Sequence, residues 1–145
     1  MFSHITVGSN DLDAAGHFYD AVLIPLGLRR RQVVPDGGPA ALCWIHPSMT
    51  LPRFYVFSPF NRQAANSGNG SMVAFLAPNP AAVGVAYAAG MAAGGKDSGA
   101  PGPRQHYGDG YYGAYLFDPD GNKVHLAFRG DLERRETGQP NRSSD

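Results

Sequence analysis

The stretch that decides the fold is Tyr111–Phe128, which reads YYGAYLFDPDGNKVHLAF. Residues 118–121 within it are DPDG, and this tetrapeptide predicts a tight turn because proline fixes φ and glycine accepts positive φ. On either side, aromatic and aliphatic residues alternate along the chain, which is typical of β-strands. The stretch therefore predicts a β-hairpin with Gly121 in the left-handed conformation.

The second strand of this hairpin carries a histidine at a predictable position. Successive side chains point to opposite faces of a strand, so His125 points away from the face of Val124 and Leu126. His125 is therefore a candidate functional residue. The apolar face also includes Phe128, and the face of His125 also includes Lys123 and Ala127.

The first predicted strand, FSHITV, has the same construction. His4 and Thr6 share one of its faces, and Ile5 and Val7 share the other. Strands from opposite ends of the chain thus each present an imidazole. If both faces line one hollow, His4 and His125 form a candidate site for acid-base or metal chemistry. Taken singly, a strand histidine is more often a hydrogen-bonded structural residue.

Length and charge limit the classes of function. A chain of 145 residues fits one domain that buries a core without cross-links. Twelve basic and twelve acidic residues give a net charge of zero, so no overall field favours nucleic acid or a membrane surface, and small ligands fit better. No apolar run approaches the roughly 18 residues of a membrane span. The single Cys43 and the absence of a leader-like start predict a cytoplasmic protein.

Residues 1–60 predict a β-α-β-β-β module. Asn10 or Asp11 can cap a helix whose apolar residues recur at helical spacing, and Pro25 and Gly27 end it. A segment rich in Asn, Ser and Gly, typical of a flexible linker, closes the module at residues 61–70. Between helix and linker, the pattern predicts strands at 28–34, 41–46 and 53–58.

The same pattern then begins again, which predicts an internal duplication. A strand at residues 71–76 and a helix at 80–93 repeat the first strand and helix. Apolar positions fall on apolar positions in this alignment, as Val73 does on Ile5. The second module, 71–129, thus completes a single domain over residues 1–129.

The last strands of the two modules also correspond. Laying Tyr55 on Val124 again superimposes apolar positions, and it places Val56 on His125. The sequence therefore predicts that Val56 holds in the first module the position that His125 holds in the second.

Two segments interrupt this regularity. Residues 96–110 are rich in glycine, proline and charge, and they predict a lid-like loop where the next strand would run. His106 and Tyr107 could reach a ligand from this loop, although an exposed loop position is the simpler interpretation. Residues 130–145 have almost no apolar side chains and predict a polar C-terminal tail.

Three motifs in the same order resemble one protein family. The chain resembles the vicinal oxygen chelate superfamily, which includes glyoxalases, bleomycin-resistance proteins and extradiol dioxygenases. The motifs that carry this resemblance are HITVGSNDLDAAGHFYDAVLIPLG, GNGSMVAFLAP and YYGAYLFDPDGNKVHLAF. The resemblance covers residues 1–129. It implies an α+β fold in which two β-α-β-β-β modules curl eight strands into a cup with helices outside. It also implies one divalent metal ion in the cup: zinc, nickel, manganese or iron.

The resemblance further implies where such a metal would bind. Its ligands come from the first and last strands of each module, and only histidines are competent ligands among the matching residues here. The family's metal-bound carboxylate base and its set of two histidines and one carboxylate therefore have no counterpart. The matching positions are His4, Val56, Met72 and His125, and candidates for a third ligand are His106, Asp109 and Tyr111.

Two functions follow from the resemblance. The first is a metal-dependent lyase, isomerase or oxygenase that acts on a small oxygen-rich molecule, with His4 and His125 as catalytic residues and metal ligands. The second is a small-molecule-binding protein of the same fold without metal or turnover. The resemblance implies a homodimer in both cases. The expected pocket residues, most of which could instead belong to the core, are Trp44, Phe54, Val56, Met72, Tyr112 and Tyr115.

Overall fold

The computed structural model describes residues 1–136. The fold is α+β, and two β-α-β-β-β modules follow each other along the chain, as the sequence predicts. The first contains strand β1 (His4–Gly8), helix α1 (Leu12–Leu23) and strands β2 (Arg29–Arg31), β3 (Ala41–Ile45) and β4 (Arg53–Phe57). The second contains β5 (Met72–Leu76), α2 (Pro80–Ala92), β6 (Lys96–Pro103), a 3-10 turn (Gln105–Tyr107), β7 (Tyr111–Phe117) and β8 (Lys123–Arg129), and helix α3 (Gly130–Glu136) follows it.

The strands form two separate four-stranded sheets, and residues 1–136 contain no closed barrel. The strand order is β1-β4-β3-β2 in the first sheet and β5-β8-β7-β6 in the second. In each sheet the first and last strands of the module are parallel neighbours, and the other neighbours are antiparallel. The two sheets therefore repeat one topology, as expected for a duplicated module.

Both long helices begin at a capping side chain, and the one on α1 is among the two that the sequence suggests. Asp11 caps α1 by accepting a hydrogen bond from the backbone N–H of Ala14 at 3.0 Å. Asn79 caps α2 in the same way through Ala82 at 2.8 Å, and Pro80 is the first residue of that helix. These caps satisfy backbone donors that the first helical turn leaves unpaired. No helix within residues 1–136 is long and apolar enough to cross a membrane.

One hydrophobic core joins the two modules. The helices α1 and α2 pack against each other, and each covers one face of its own sheet. The rings of Phe54 on β4 and Phe75 on β5 meet edge to face, with centroids 5.0 Å apart. Gly90 allows the helices to approach, since a Cβ at this position would lie 2.7 Å from Cγ2 of Val22. Each sheet consequently has one face in the core and one that its helix leaves uncovered, here called its open face.

The DPDG turn forms as predicted. Gly121 has φ +87° and donates a backbone hydrogen bond to the Asp118 carbonyl at 3.0 Å. The Asp118 carboxylate is buried and accepts hydrogen bonds from the backbone of Asp120, from the backbone and side chain of Asn122, and from the Tyr19 hydroxyl. The turn thus connects the second module to helix α1 of the first.

The expectation of a loop at residues 96–110 is wrong for most of that segment. Residues 96–103 form strand β6, which pairs with β7, because two register shifts near Gly99 and Gly102 accommodate the glycine-rich sequence within the ladder. Only the part around the 3-10 turn remains irregular. Residues 130–136 of the expected polar tail form α3, and the Arg129 guanidinium pairs with Asp131 at 2.9 Å at its start. Residues 137–145 of the expected tail lie outside the described residues.

Candidate functional site

His125 lies on the open face of the second sheet, opposite the core residues Val124 and Leu126. It is the direct cross-strand neighbour of Tyr115 on β7, and only 2 % of its surface is exposed. The strand alternation therefore places the imidazole on the face that the sequence predicts. The ring is nevertheless buried, because tyrosines of the same face cover it.

Both ring nitrogens of His125 have hydrogen-bond partners in its own module. Nδ1 lies 2.9 Å from the carbonyl oxygen of Ala114, so Nδ1 carries the proton and donates it. Nε2 lies 2.8 Å from the hydroxyl oxygen of Tyr111 and accepts that hydroxyl proton in the neutral imidazole. The backbone of β7 thus selects the tautomer that leaves Nε2 basic.

The imidazole is stacked between two tyrosine rings. Its centroid is 4.1 Å from that of Tyr115 and 5.9 Å from that of Tyr111, with interplanar angles of 10° and 8°. Gly113 provides the space for this stack, because a Cβ at that position would lie 2.6 Å from Cε1 of His125. The glycine, the histidine and both tyrosines therefore form one packed unit, here called the tyrosine-histidine stack.

Burial and nearby positive charge both act on the stack. Burial lowers the pKa of His125 below its ordinary value, and the charges of Arg104 and Lys123 lower it further, against the opposing effect of the hydrogen bond to Ala114. Burial also raises the pKa of Tyr115 to about 12, with a contribution from the Tyr107 hydroxyl. The stack is therefore neutral near pH 7: the imidazole is unprotonated and the Tyr115 phenol is protonated.

A cavity of about 360 Å³ opens beside the stack. Tyr115 forms the contact between them, since it both lines the cavity and stacks on His125. Arg104 and Lys123 bring positive charge, with the Arg104 Cζ 5.7 Å and the Lys123 Nζ 5.1 Å from the Tyr115 ring centroid. The lining residues are Met72, Ser98, Arg104, His106, Tyr107, Tyr115 and Lys123.

A larger cavity of about 630 Å³ lies in the first module, away from both histidines. Loops that follow β1 and β4 line it, together with residues 37–39. Arg62 is the one ionisable side chain in its lining, and the remainder is polar, small or apolar. The smaller cavity therefore offers a ligand more charged and aromatic side chains than the larger cavity does.

His4 occupies a different setting from His125. It is exposed at the start of β1, its Nδ1 lies 3.0 Å from the Ser3 hydroxyl, and its ring meets that of Tyr55 edge to face with centroids 5.6 Å apart. All these partners belong to the first module, whereas all those of His125 belong to the second. Among residues 1–136, no hydrogen bond or ring contact joins the two histidines. The two imidazoles therefore have separate sets of partners.

Val56 is not the counterpart of His125. Arg53 on β4 is the partner of His4, and Lys123 on β8 is the partner of Met72, so the last strands correspond with Arg53 laid on Lys123. This alignment differs by one position from the one that the apolar pattern suggests. Val56 is fully buried in the core. In the observed alignment Tyr55, not Val56, occupies the position of His125 on the open face.

The other expected pocket residues divide in the same way. Trp44 and Phe54 are buried in the core, and Tyr112 packs against it, because all three lie on the helix-covered faces of their sheets. Met72 and Tyr115 lie on an open face and line the cavity. Sequence reasoning missed Arg104, Ser98 and Lys123. Lys123 could have been found from its place on the His125 face. Ser98 lies on β6 and Arg104 directly follows it, in the segment that the sequence predicts to be a loop.

The donor set does not fit a divalent metal within one chain. Residues 1–133, whose side chains the structure describes, contain no group of three or more His, Cys, Asp or Glu side chains placed to hold a metal ion. Tyr111 is a hydrogen-bond partner of His125, and Met72 offers a thioether, which is a poor ligand for zinc, manganese or iron(II). Metal coordination at Nε2 would have to displace the Tyr111 hydroxyl.

Comparison with known proteins agrees with this architecture. Residues 1–126 match the family described as Glyoxalase/Bleomycin resistance protein/Dioxygenase superfamily. A glyoxalase/bleomycin resistance protein from Albidiferax ferrireducens T118 is 39 % identical, with a TM-score of 0.76 over 89 % of this chain and 98 % of that chain. A glyoxalase-related enzyme from Fulvimarina pelagi is 21 % identical, with a TM-score of 0.66 over 89 % and 88 % of the two chains. The lactoylglutathione lyase of Agrobacterium tumefaciens is 19 % identical, with a TM-score of 0.60 over 89 % and 93 %.

No curated protein matched the chain. The family match spans most of the sequence: both long helices and the strands β1 to β7 fall within it, and it ends inside β8. The chain belongs to the glyoxalase/bleomycin resistance protein/dioxygenase superfamily.

Proposed function

We propose that this chain binds a small oxygen-rich molecule in the cavity beside the tyrosine-histidine stack, without a divalent metal on His125. The single observation that carries the proposal is that Ala114 and Tyr111 already occupy both nitrogens of His125. The adjoining cavity combines aromatic surface from Tyr115 with polar and cationic groups, which is the usual composition of a small-molecule site.

Metal content and local binding test this proposal together. Protein purified without chelators or a histidine tag is expected to hold far less than one divalent ion per chain, and chelation is expected to leave ligand affinity unchanged. Ligands come from a thermal-shift screen of aromatic acids, thiol conjugates and antibiotics. About one ion per chain, lost in His125→Asn, would contradict the metal-free site.

The four methionines allow the binding position to be read directly. Met72 lines the cavity, whereas Met91 lies on α2 outside it. In protein with ¹³C-labelled methionine methyl groups, a ligand is expected to shift the Met72 signal and leave the Met91 signal in place. Met72→Leu assigns the signal. A shift at Met91 alone would place the ligand elsewhere.

Proton transfer is the second candidate function, and a specific observation favours it. The tautomer of His125 leaves Nε2 as a base whose present partner is a rotatable hydroxyl, that of Tyr111. A ligand that displaces this hydroxyl would meet a neutral imidazole able to accept a proton next to a carbonyl. Turnover of a bound ligand that His125→Asn abolishes and Tyr111→Phe retains would support the enzyme. Equal turnover in wild type and His125→Asn would contradict it.

The homodimer implied by the family is also a proposal. Strand β5 is the edge of its sheet, and its open face leaves Met72 and Leu76 exposed by 45 % and 66 %. Exposed apolar side chains on an edge strand are a common contact between chains. Light scattering is expected to give a dimer for wild type and a monomer for Leu76→Lys, with Val85→Lys on α2 as the matched exposed control. A wild-type monomer would contradict the proposal.

A further inference from the structure

We infer that the cavity beside the tyrosine-histidine stack selects ligands that carry a carboxylate, and that Arg104 and Lys123 bind this carboxylate. This inference rests on the proposed function. Neither the family match nor the similar structures assign an anion-binding role to these two residues. The inference concerns the class of ligand and not whether a ligand binds.

The first support is an uncompensated pair of positive charges. Arg104 and Lys123 both lie close to the Tyr115 ring, with Cζ and Nζ at 5.7 and 5.1 Å from its centroid. No carboxylate is present among the residues that line the cavity, and neither cation forms a salt bridge with a side chain of residues 1–133. Two like charges beside one aromatic ring repel each other, and an anion between them would relieve that repulsion.

The second support is that Arg104 is held in place before any ligand arrives. Its guanidinium donates to the carbonyl oxygens of Ala100 at 2.8 Å, of Gly102 at 3.0 Å and of Pro103 at 3.4 Å. These acceptors are neutral, so they fix the group without cancelling its charge. A guanidinium fixed in advance loses little side-chain entropy when it binds a carboxylate.

The third support is the chemistry of the remaining lining. Ser98 adds a hydroxyl that can donate to an oxyanion, and Tyr107 and Tyr115 add aromatic surface beside the charges. The positive potential extends to the stack, where Arg104 and Lys123 lower the pKa of His125. A carboxylate with an attached apolar or aromatic body therefore matches the cavity better than a cation or a neutral polar molecule.

Paired ligands that differ only in charge test the inference. Each carboxylate, such as benzoate or a larger aromatic acid, is compared with its primary amide by calorimetry and by the Met72 methyl signal. The carboxylates are expected to bind about tenfold or more tightly than their amides, as for loss of a charged hydrogen bond. Inorganic phosphate at equal concentration is expected to compete with the carboxylate.

Charge-removing variants locate the effect. Lys123→Gln is expected to weaken carboxylate binding about tenfold and to weaken amide binding much less. Arg104→Gln is expected to do the same, but Lys123→Gln is the cleaner variant because Arg104 also ties down three carbonyl groups. Lys96→Gln removes one charge from the same module outside the cavity lining and is expected to change neither affinity.

Each possible failure has its own meaning. If amides bind as tightly as carboxylates, or if Lys123→Gln and Lys96→Gln behave alike, the carboxylate selectivity is overturned while the proposed binding site stands. If no carboxylate shifts the Met72 signal at millimolar concentration but neutral compounds do, the carboxylate selectivity is also overturned and the proposed binding site also stands. If no compound of either class shifts it, both proposals are overturned.

Discussion

The hydroxyl oxygen of Tyr19 lies 2.7 Å from Oδ2 of Asp118, so that helix α1 of the first module is hydrogen-bonded to the last turn of the second. Both residues are almost completely buried, at 1 % and 2 % exposure. Burial raises the pKa of the Asp118 carboxyl, although hydrogen bonds from Asn122 and Tyr19 act against that rise. The contact therefore stabilises a buried acidic group at the junction of the modules.

Tyr19→Phe is expected to destabilise the protein by about 1–3 kcal/mol, because a buried carboxylate loses one of its donors. Urea unfolding at neutral pH measures the change. Tyr87→Phe is the matched control, since the half-buried Tyr87 also donates to an aspartate, Asp97, at 2.8 Å, but in an exposed hydrogen bond. Equal losses of unfolding free energy in both variants would show that the buried hydrogen bond stabilises the protein no more than the exposed one.

Gly121→Ala is expected to cost on the order of 1 kcal/mol, since Gly121 has φ +87° and an L side chain is strained there. The added Cβ would also lie 3.3 Å from the Ser67 hydroxyl oxygen. Thermal or urea unfolding measures the loss. Gly84→Ala on α2 is the control: its Cβ would meet nothing within 4 Å, and it is expected to stabilise by about 0.5–1 kcal/mol. If Gly121→Ala is as stable as the wild type, the left-handed conformation of Gly121 does not require glycine, and the interpretation of the turn is wrong.

Gly113→Ala is expected to displace the imidazole of His125 and to destabilise the protein by about 1–3 kcal/mol through overpacking. The clash is at 2.6 Å, between the new Cβ and Cε1 of His125. A double-mutant cycle with His125→Ala checks the cause, because Gly113→Ala should cost less once the ring is absent. If the losses of stability in the two single variants are additive, Gly113 does not act by providing space for the His125 ring.

Stability is expected to fall as pH drops from about 7 to about 5, because burial first, and then Arg104 and Lys123, depress the pKa of His125. A group with a lowered folded-state pKa contributes stability above its unfolded pKa, near 6.5, and loses it as pH falls through the folded value. Urea unfolding across this range measures the slope. His125→Asn is expected to flatten it, and an unchanged slope would assign the effect to another group.

The sequence by itself determined the features that depend on neighbouring residues. DPDG specified a turn with positive φ at Gly121 because only glycine accepts that conformation without strain. Alternation along β8 put His125 on the face opposite Val124, and the two capping candidates Asn10 and Asp11 marked the start of α1. The recurrence of the first strand and helix in the second half of the chain also specified the two-module fold.

Only the tertiary structure decided which residues meet. Strand register is a property of two strands together, so an error of one position in relating β4 to β8 exchanged the open-face Tyr55 for the core residue Val56. Pairing with β7 turned a glycine-rich segment into β6 and brought Arg104 to the Tyr115 ring. The partners of His125 and those of His4 follow from such packing, which the spacing of residues along a chain does not encode.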